Sequence, residues 1–242
     1  MPKQFSALKE NLVIIPTYNE KENIERMIRK VMGLNFQTDL LILDDGSPDG
    51  TADIVKSLQH EFTDRLHLVE REGKQGLGTA YIAGFKWALE RDYQFIFEMD
   101  ADFSHNPEDL VRLHEACNQD GVGMSVGSRY VKGGKVKNWP WNRVLMSYGA
   151  SVYVNAILWT GIRDCTAGFV CYKRETLQRL DLDNIQFVGY AFQIEMKFSV
   201  KKLGYRVAEV PITFVDREFG VSKMNMGIFK EAIFGVLKMR FK

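Results

Sequence analysis

Two aspartates separated by one residue are the clearest chemical signal in this sequence. Asp100 and Asp102 directly follow the apolar run Phe95-Ile96-Phe97. Two carboxylates at the end of a buried strand offer hard oxygen ligands to a divalent cation. Mg²⁺ or Mn²⁺ held in this way keeps its other coordination positions for phosphate oxygens and water. Because Asp-x-Asp also occurs in ordinary loops, the pair indicates a metal site only if its surroundings support one.

Other strand-like runs in the first half of the chain also end in polar residues. The runs at 12–15, 40–43 and 66–69 alternate with segments whose apolar residues recur at helical spacing. This alternation is typical of a parallel sheet covered by helices on both faces. Ligands of such sheets bind outside the carboxyl ends of the strands. The polar residues at these ends are 16–20, 44–47, 70–78 and 100–102.

The second half of the chain is less regular, and its elements are predicted one by one. The pattern favours strands at 122–130, 169–173 and 207–215, a mostly helical segment at 140–162 and a helix at 190–203. The fold class is therefore predicted to be α/β, with a mostly parallel central sheet and helices on both faces. Because no repeat, low-complexity tract or linker interrupts the pattern, we expect a single domain over residues 1–242.

The composition limits the class of partner and the compartment. The formal net charge of the 242 residues is +1, whereas a dedicated nucleic-acid binder usually carries a basic excess. The three cysteines, Cys117, Cys165 and Cys171, are odd in number and lack metal-site spacing. Together with the absence of a secretory signal, they favour reduced thiols in a cytoplasmic compartment.

Two segments of the chain indicate contact with a membrane. Residues 144–162 carry no charge and are bracketed by Arg143 and Arg163, but several polar residues inside the segment argue against a true span. A buried helix or an interfacial one at 140–162 fits better. The C-terminal residues 226–242 mix apolar and basic residues, which suits either a surface helix packed on the core or an amphipathic docking helix.

The residues at the predicted strand ends have the chemistry of a nucleotide site. Glu20 and Asp45 would accept hydrogen bonds from base N–H or ribose hydroxyl groups, and Tyr18 offers a ring for stacking. The glycine-rich run at 73–78 matches neither the P-loop nor the dinucleotide-binding fingerprint. The option that remains is a nucleotide whose diphosphate is held mainly by a metal ion on Asp100 and Asp102.

These motifs resemble those of the family 2 glycosyltransferases of GT-A fold. Within that family, the second half of the chain is similar to the dolichyl-phosphate (polyprenyl-phosphate) mannosyltransferases, and the resemblance spans about residues 10–225. The motifs shared with the family are Pro16-Thr17-Tyr18-Asn19-Glu20, Asp44-Asp45-Gly46-Ser47, Gly76-Leu77-Gly78-Thr79 and Met99-Asp100-Ala101-Asp102. Those shared with the subfamily are Gly127-Ser128-Arg129-Tyr130, Gly189-Tyr190-Ala191-Phe192-Gln193, Val210-Pro211 through Asp216-Arg217, and Ser222-Lys223.

The resemblance implies a metal-dependent, inverting transfer of mannose from GDP-mannose to dolichyl or polyprenyl phosphate, a step that supplies protein glycosylation. It also implies a peripheral enzyme on the cytoplasmic face of a membrane, with a small membrane-anchoring subunit as a possible partner. Asp100, Asp102 and Ser104 would hold Mg²⁺ or Mn²⁺, and Asp102, Arg129 and Arg143 would be the catalytic residues. The donor-binding residues would be Pro16, Tyr18, Glu20, Leu43, Asp45, Asp100, Ala101, Asp102, Ser104, Arg129, Arg217 and Lys223, and the acceptor phosphate would meet Arg129, Arg143 and Ser147.

The expected chemistry needs no general base. A phosphomonoester acceptor is already anionic at neutral pH, whereas a sugar transferase acting on an alcohol usually needs a carboxylate to remove a proton. The task of the site would be to neutralise two anionic groups and align them. Two alternatives stay open: a related transferase using a UDP-sugar (glucose or an amino sugar) with polyprenyl phosphate, and a non-catalytic subunit of a membrane glycosylation complex.

Overall fold

The computed structural model describes residues 9–217 and 226–241. Its first half repeats strand and helix four times. Those elements are β1 (Asn11–Thr17), α1 (Ile24–Met32), β2 (Asp39–Asp44), α2 (Thr51–Gln59), β3 (Leu66–Glu70), α3 (Leu77–Leu89), β4 (Phe95–Glu98) and α4 (Asp109–Cys117). The second half contains β5 (Val122–Ser128), β6 (Lys135–Lys137), α5 (Trp141–Leu158), β7 (Val170–Lys173), α6 (Arg174–Arg179), a 3₁₀ turn (Leu182–Asn184), α7 (Tyr190–Lys202), β8 (Arg206–Pro211), β9 (Thr213–Val215) and α8 (Met226–Arg240).

The central sheet is seven-stranded, mixed and mostly parallel. Its strand order is β3-β2-β1-β4-β7-β5-β8, and only β7 runs antiparallel to its neighbours β4 and β5. The carboxyl ends of β1, β2, β3 and β4 therefore meet at one edge of the sheet. The α/β class predicted from the sequence is confirmed.

The alternation of side chains along the strands builds a core on each face of the sheet. Val13 and Ile15 of β1 pack with α1, α2 and α4, whereas Leu12 and Ile14 pack with α3 and α7 on the other face. A third apolar cluster joins α5, α7 and α8 through residues that include Val154, Leu158, Val236 and Met239. This third cluster attaches α5 and α8 to the body of the protein.

Two elements differ from the sequence-based prediction. The strand expected over 207–215 is divided at Ile212, and its second part leaves the central sheet to pair in parallel with β6. Pro211, which has no N–H to donate, ends the first part.

The helix expected over 140–162 ends at Leu158, because Trp159 adopts a left-handed backbone conformation with φ 52°. The Asn155 side chain accepts a hydrogen bond from the Gly161 N–H at 2.9 Å and donates one to the Ile162 carbonyl at 2.6 Å. These bonds turn the chain away from the helix axis. No helix in the described parts of the chain is long and apolar enough to cross a membrane.

Candidate active site

A cavity of about 410 Å³ opens at the carboxyl ends of β1, β2 and β4. It collects residues from most of the segments in which the sequence predicts a site. Those that line it are Pro16, Tyr18, Glu20, Asp45, Asp100, Ala101, Asp102, Ser104, Arg129, Arg143 and Arg217.

Three of the predicted residues are not among those that line the cavity. Leu43 is 1% exposed and packs on α3, where a Cβ added to Gly84 would lie 2.9 Å from its Cδ1 atom. Ser147 is half-buried on α5, one turn after Arg143. Lys223 lies outside the described residues.

The loop after β4 presents the aspartate pair. Phe103 has a left-handed backbone with φ 59°, and the Ser104 N–H turns back to donate to Asp102 Oδ1 at 3.1 Å. The Ser104 Oγ atom is buried and has no hydrogen-bond partner in the described part of the protein. Burial and the neighbouring Asp102 carboxylate raise the pKa of Asp100 to about 7. Two carboxylates that repel each other beside an unsatisfied hydroxyl oxygen are a donor set that fits a divalent cation.

A cation at this loop would depend on few protein ligands. Among the described residues, no group of three or more His, Cys, Asp or Glu side chains forms a metal site. The remaining coordination positions would fall to water and to phosphate oxygens, as is usual for Mg²⁺ bound beside a nucleotide. The Arg217 Nε atom lies 3.5 Å from Asp102 Oδ2, so a guanidinium stands beside the pair.

The nucleoside end of the cavity has acceptors and an aromatic ring. Asp45 is 6% exposed, and its Oδ1 atom is 3.1 Å from Arg71 Nη1 without forming a hydrogen bond in the described part of the chain. Burial raises the pKa of this carboxyl, and the Arg71 charge opposes that effect. Lys74, from the glycine-rich run, places its Nζ atom 5.4 Å from the centre of the Tyr18 ring and also lines the cavity. This end suits a planar base with N–H donors.

Arg129 is anchored more firmly than a lone phosphate-binding arginine would be. Its Nε and Nη2 atoms donate to the two oxygens of Asp164 at 2.7 and 2.6 Å, and its backbone N–H donates to Asp164 Oδ2 at 2.9 Å. The Asp164 side chain is fully buried. The planar, bidentate geometry fixes the direction of the guanidinium. Whatever Arg129 does in the cavity, Asp164 orients it.

Arg143 stands at the start of α5 with two contacts. Its Nη1 atom donates to Asp216 Oδ1 at 3.0 Å, and its guanidinium carbon lies 3.9 Å from the centre of the Trp139 ring. Trp139 is half-buried and lines the cavity, unlike the exposed Trp141 and Trp159. The arginine is therefore held at the cavity mouth while remaining partly open to solvent.

The sequence profile described as Glycosyl transferase family 2 matches residues 12–181. The chain belongs to this family. Two curated relatives extend the likeness over nearly the whole chain. It is 46% identical to a polyprenol monophosphomannose synthase from Mycolicibacterium smegmatis, over 97% of this chain and 88% of the relative. It is also 46% identical to an undecaprenyl-phosphate mannosyltransferase from Micrococcus luteus, over 94% of this chain and 92% of the relative.

Solved structures of other glycosyltransferases share the fold. A glucosyl-3-phosphoglycerate synthase from Mycobacterium tuberculosis, in complex with Mn²⁺, UDP and glucosyl-3-phosphoglycerate, superposes with a TM-score of 0.68 at 17% identity, covering 96% of this chain and 80% of that one. A mannosyltransferase from Pyrobaculum calidifontis in complex with GDP-Man and Mn²⁺ gives a TM-score of 0.60 at 17% identity, covering 97% and 70%. The GT-A fold expected from the resemblance is thus confirmed.

This family 2 glycosyltransferase also has a buried polar network beneath the cavity that sequence reasoning missed. It joins Glu98 of β4, Tyr172 of β7, and Gln193 and Lys197 of α7. Burial raises the pKa of Glu98 to about 7 and lowers that of Lys197 to about 8. Two members of the network stand beside sequence motifs: Glu98 precedes the aspartate pair, and Gln193 ends the motif Gly189-Tyr190-Ala191-Phe192-Gln193. The signal for Lys197 was its spacing of four residues from Gln193 on one helix.

Proposed function

We propose that this family 2 glycosyltransferase transfers mannose from GDP-mannose to a polyprenyl phosphate, such as dolichyl phosphate, with inversion at the anomeric carbon. The observation that carries the proposal is a single cavity bounded by the aspartate pair and by Arg143 at the start of an apolar-faced helix. Two relatives that align over nearly the whole chain, each 46% identical, are a polyprenol monophosphomannose synthase and an undecaprenyl-phosphate mannosyltransferase. Their names support the choice of sugar and acceptor.

The donor would lie along the carboxyl ends of β1, β2 and β4. Tyr18, Glu20 and Asp45 would hold the guanosine, with Pro16 and the backbone near Leu43 beside it. Asp100, Asp102 and Ser104 would hold Mg²⁺ or Mn²⁺, which supplies positive charge to the diphosphate when bound. Arg217, next to Asp102, would add a second positive charge, and Lys223 would join it there.

The acceptor phosphate would enter from the Arg143 side. It brings its own negative oxygen as the nucleophile, so the protein has to position it and screen its charge, with no proton to remove. Arg143, held by Asp216 and the Trp139 ring, would bind this phosphate together with Arg129 and Ser147. Attack opposite to the departing diphosphate would give a β-linked mannosyl phosphate lipid.

The lipid tail would follow the exposed apolar surface of α5 and α8. The Tyr153 hydroxyl donates to the Ile233 carbonyl at 3.0 Å, and the Arg240 guanidinium carbon lies 4.5 Å from the centre of the Trp159 ring. The chain runs from Tyr153 to Trp159 along α5 and from Ile233 to Arg240 along α8, and the first members of each stretch touch, as do the last. The two helices therefore run parallel to each other. Their outer sides expose large apolar residues: Trp141, Leu145, Met146, Tyr148, Val152, Trp159, Phe234, Leu237 and Phe241.

This surface supports peripheral attachment to the cytoplasmic face of a membrane. Trp141 is 78% exposed and Phe241 89% exposed, which is costly in water and favourable at a bilayer interface. Arg163 and Arg240 at the far end of α5 add the positive charge that anionic headgroups attract. A small membrane-anchoring subunit could cover the same surface, and reconstitution without one distinguishes the two arrangements.

The deciding experiment is transfer of labelled mannose from GDP-mannose to a short polyprenyl phosphate by the purified protein alone. We expect lipid-extractable label that depends on Mg²⁺ or Mn²⁺ and is lost on chelation. A thermal-shift comparison of GDP, UDP and GDP-mannose runs beside it. Stabilisation by UDP and not by GDP would overturn the mannose assignment in favour of a UDP-sugar donor. Failure to respond to any nucleotide would favour a non-catalytic subunit.

A further inference from the structure

The Gln193 side chain lies between the buried carboxyl group of Glu98 and the buried ammonium group of Lys197. Its Nε2 atom donates to Glu98 Oε2 at 2.5 Å, and its Oε1 atom accepts from Lys197 Nζ at 3.1 Å. All three side chains are at least 95% buried. Because an ammonium only donates, Lys197 determines that the oxygen of the amide faces it and that the nitrogen faces Glu98. The orientation of Gln193 is therefore set by charge.

Neither charged group is free to contact a substrate. The three N–H groups of Lys197 Nζ donate to the Ala167 carbonyl at 2.6 Å, the Gln193 carbonyl at 3.3 Å and the Gln193 amide oxygen. Glu98 accepts a second hydrogen bond from the Tyr172 hydroxyl at 2.9 Å through its other oxygen. Gln193 lines the cavity, whereas Glu98 and Lys197 do not.

An amide nitrogen carries two hydrogens, and one of those on Gln193 remains available. In the described part of the protein, no acceptor other than Glu98 is bonded to Nε2. A Cβ added to Gly168, another lining residue, would lie 3.7 Å from Nε2, so a glycine at this position leaves the space beside the amide open. The amide thus presents one donor of fixed direction at the cavity wall.

Burying a carboxylate and an ammonium costs several kcal/mol per ion before their contacts repay it. A core helix could be packed with apolar residues at lower cost. Here the Glu98 carboxyl and the Lys197 ammonium both bond Gln193, which lines the cavity, and Lys197 also bonds the carbonyl of Ala167, another lining residue. Gln193 lines the same cavity as the aspartate pair and Arg143, which in the proposed function would hold the groups on either side of the transferred sugar.

We propose that Gln193 reads a hydroxyl group of the transferred sugar through its free amide N–H, and that Glu98 and Lys197 are positioning residues that hold this amide in place. The inference rests on the proposed function only in taking a hexosyl nucleotide as the donor. It makes Gln193 a determinant of sugar specificity. An N–H group of fixed direction distinguishes an axial from an equatorial hydroxyl group, and it also distinguishes a sugar with that hydroxyl from one without it.

The test compares GDP-mannose with its 2-, 3-, 4- and 6-deoxy analogues as donors for the wild type and Gln193→Met. We expect the wild type to lose about 10- to 100-fold in kcat/KM on one of the four deoxy analogues. On that analogue the buried amide N–H of Gln193 would be left without an acceptor. Gln193→Met should lose a similar factor on GDP-mannose and show no further loss on that same analogue. Gln193→Asn, with an amide one methylene shorter, should behave in the same way and serves if Gln193→Met does not fold.

The positioning role has its own readout. Lys197→Met should lower the discrimination between GDP-mannose and the critical deoxy donor, whereas a purely structural residue would lower both rates equally. Gln178→Leu, at an exposed glutamine of α6, is the matched control and should leave the discrimination unchanged.

Two results would overturn the inference, and a third concerns only the proposed function. If Gln193→Met keeps the wild-type penalty on every deoxy donor, Gln193 reads no hydroxyl. If Lys197→Met keeps full discrimination, the network does not position the amide. If the wild type transfers nothing from GDP-mannose, the proposed function fails. The same comparison is then made with deoxy analogues of the nucleotide sugar that it accepts, under the same criteria.

Discussion

Replacing Asp164 by asparagine should destabilise the protein strongly, although Asp164 is not among the residues that line the cavity. The carboxylate is fully buried, the Arg129 side chain is 8% exposed, and two side-chain hydrogen bonds of 2.6 and 2.7 Å join them. Asparagine has no negative charge and its NH₂ group would face a guanidinium. Removing one partner of a buried pair typically costs about 3–5 kcal/mol. For a chain of this size, that corresponds to a fall in Tm of roughly 6–20 °C.

The assay is thermal and urea unfolding of the wild type and Asp164→Asn at neutral pH. Asp53→Asn is the matched control, because the Asp53 side chain is 83% exposed and lies 3.9 Å from Lys56. We expect the control to change the free energy of unfolding by less than about 1 kcal/mol, as exposed pairs do. If Asp164→Asn costs no more than this control, the Arg129–Asp164 pair is not desolvated and the reasoning is refuted.

A double variant separates the structural role of the pair from its functional role. Arg129→Met combined with Asp164→Leu removes both charges, and such replacements of buried pairs are often neutral or stabilising. The backbone N–H of Arg129 also loses its acceptor, at a cost of about 1–3 kcal/mol. We therefore expect the double variant to recover part of the lost stability. If Arg129 contacts the acceptor phosphate, transfer activity should not recover with it.

Four further predictions concern the metal, the acceptor, pH and the membrane. Asp102→Asn should abolish Mn²⁺-dependent transfer and leave urea unfolding nearly unchanged; full turnover would remove the cation from the aspartate pair. Arg143→Ala should raise the KM for polyprenyl phosphate more than that for GDP-mannose, and equal increases would contradict the acceptor assignment. Burial lowers the pKa of His105 from 6.5 to about 4, so the unfolded chain binds a proton at a higher pH than the folded protein does. The free energy of unfolding should therefore decline by up to about 3 kcal/mol as pH falls from 6.5 towards 4. His105→Phe should remove that part of the decline in urea titrations, and an unchanged pH profile would exclude His105 as its source. Trp159→Ala should reduce co-sedimentation with anionic vesicles by more than Trp87→Ala, whose ring also stacks on an arginine but lies on α3; equal losses would place the membrane contact elsewhere.

The first half of the fold was predictable because β1 and β2 are buried on both faces and their sequences are continuous apolar runs. The apolar runs at 12–15 and 40–43 predict buried parallel strands. The polar residues that follow these strands then lie at the same edge of the sheet. The aspartate pair, Tyr18, Glu20 and Asp45 followed from that placement. Local pattern was sufficient here, because each residue follows its own strand directly.

The second half required contacts between residues distant in the chain. Asp164 is 35 residues from Arg129, and Gln193 is 95 residues from Glu98. Between Asp164 and Gln193 in the chain lies β7, which enters the sheet antiparallel between β4 and β5. Periodicity cannot predict such an insertion, because a four-residue apolar strand has the same pattern in either direction.

One short segment contacts both the aspartate pair and Arg143, which line the same cavity. The Val215 N–H donates to the Ser104 carbonyl at 3.2 Å, Asp216 holds Arg143, and Arg217 stands 3.5 Å from Asp102. Val215 ends β9, and the two residues after it reach these positions because β9 pairs with β6 outside the central sheet, beyond Pro211 at the end of β8. The reaction proposed above would require the departing diphosphate and the attacking phosphate to lie at a fixed separation. Asp216 and Arg217 are consecutive residues directly after β9, so backbone geometry limits that separation, since adjacent Cα atoms are about 3.8 Å apart. The break in the strand is therefore what allows one segment to reach both of the proposed phosphate sites.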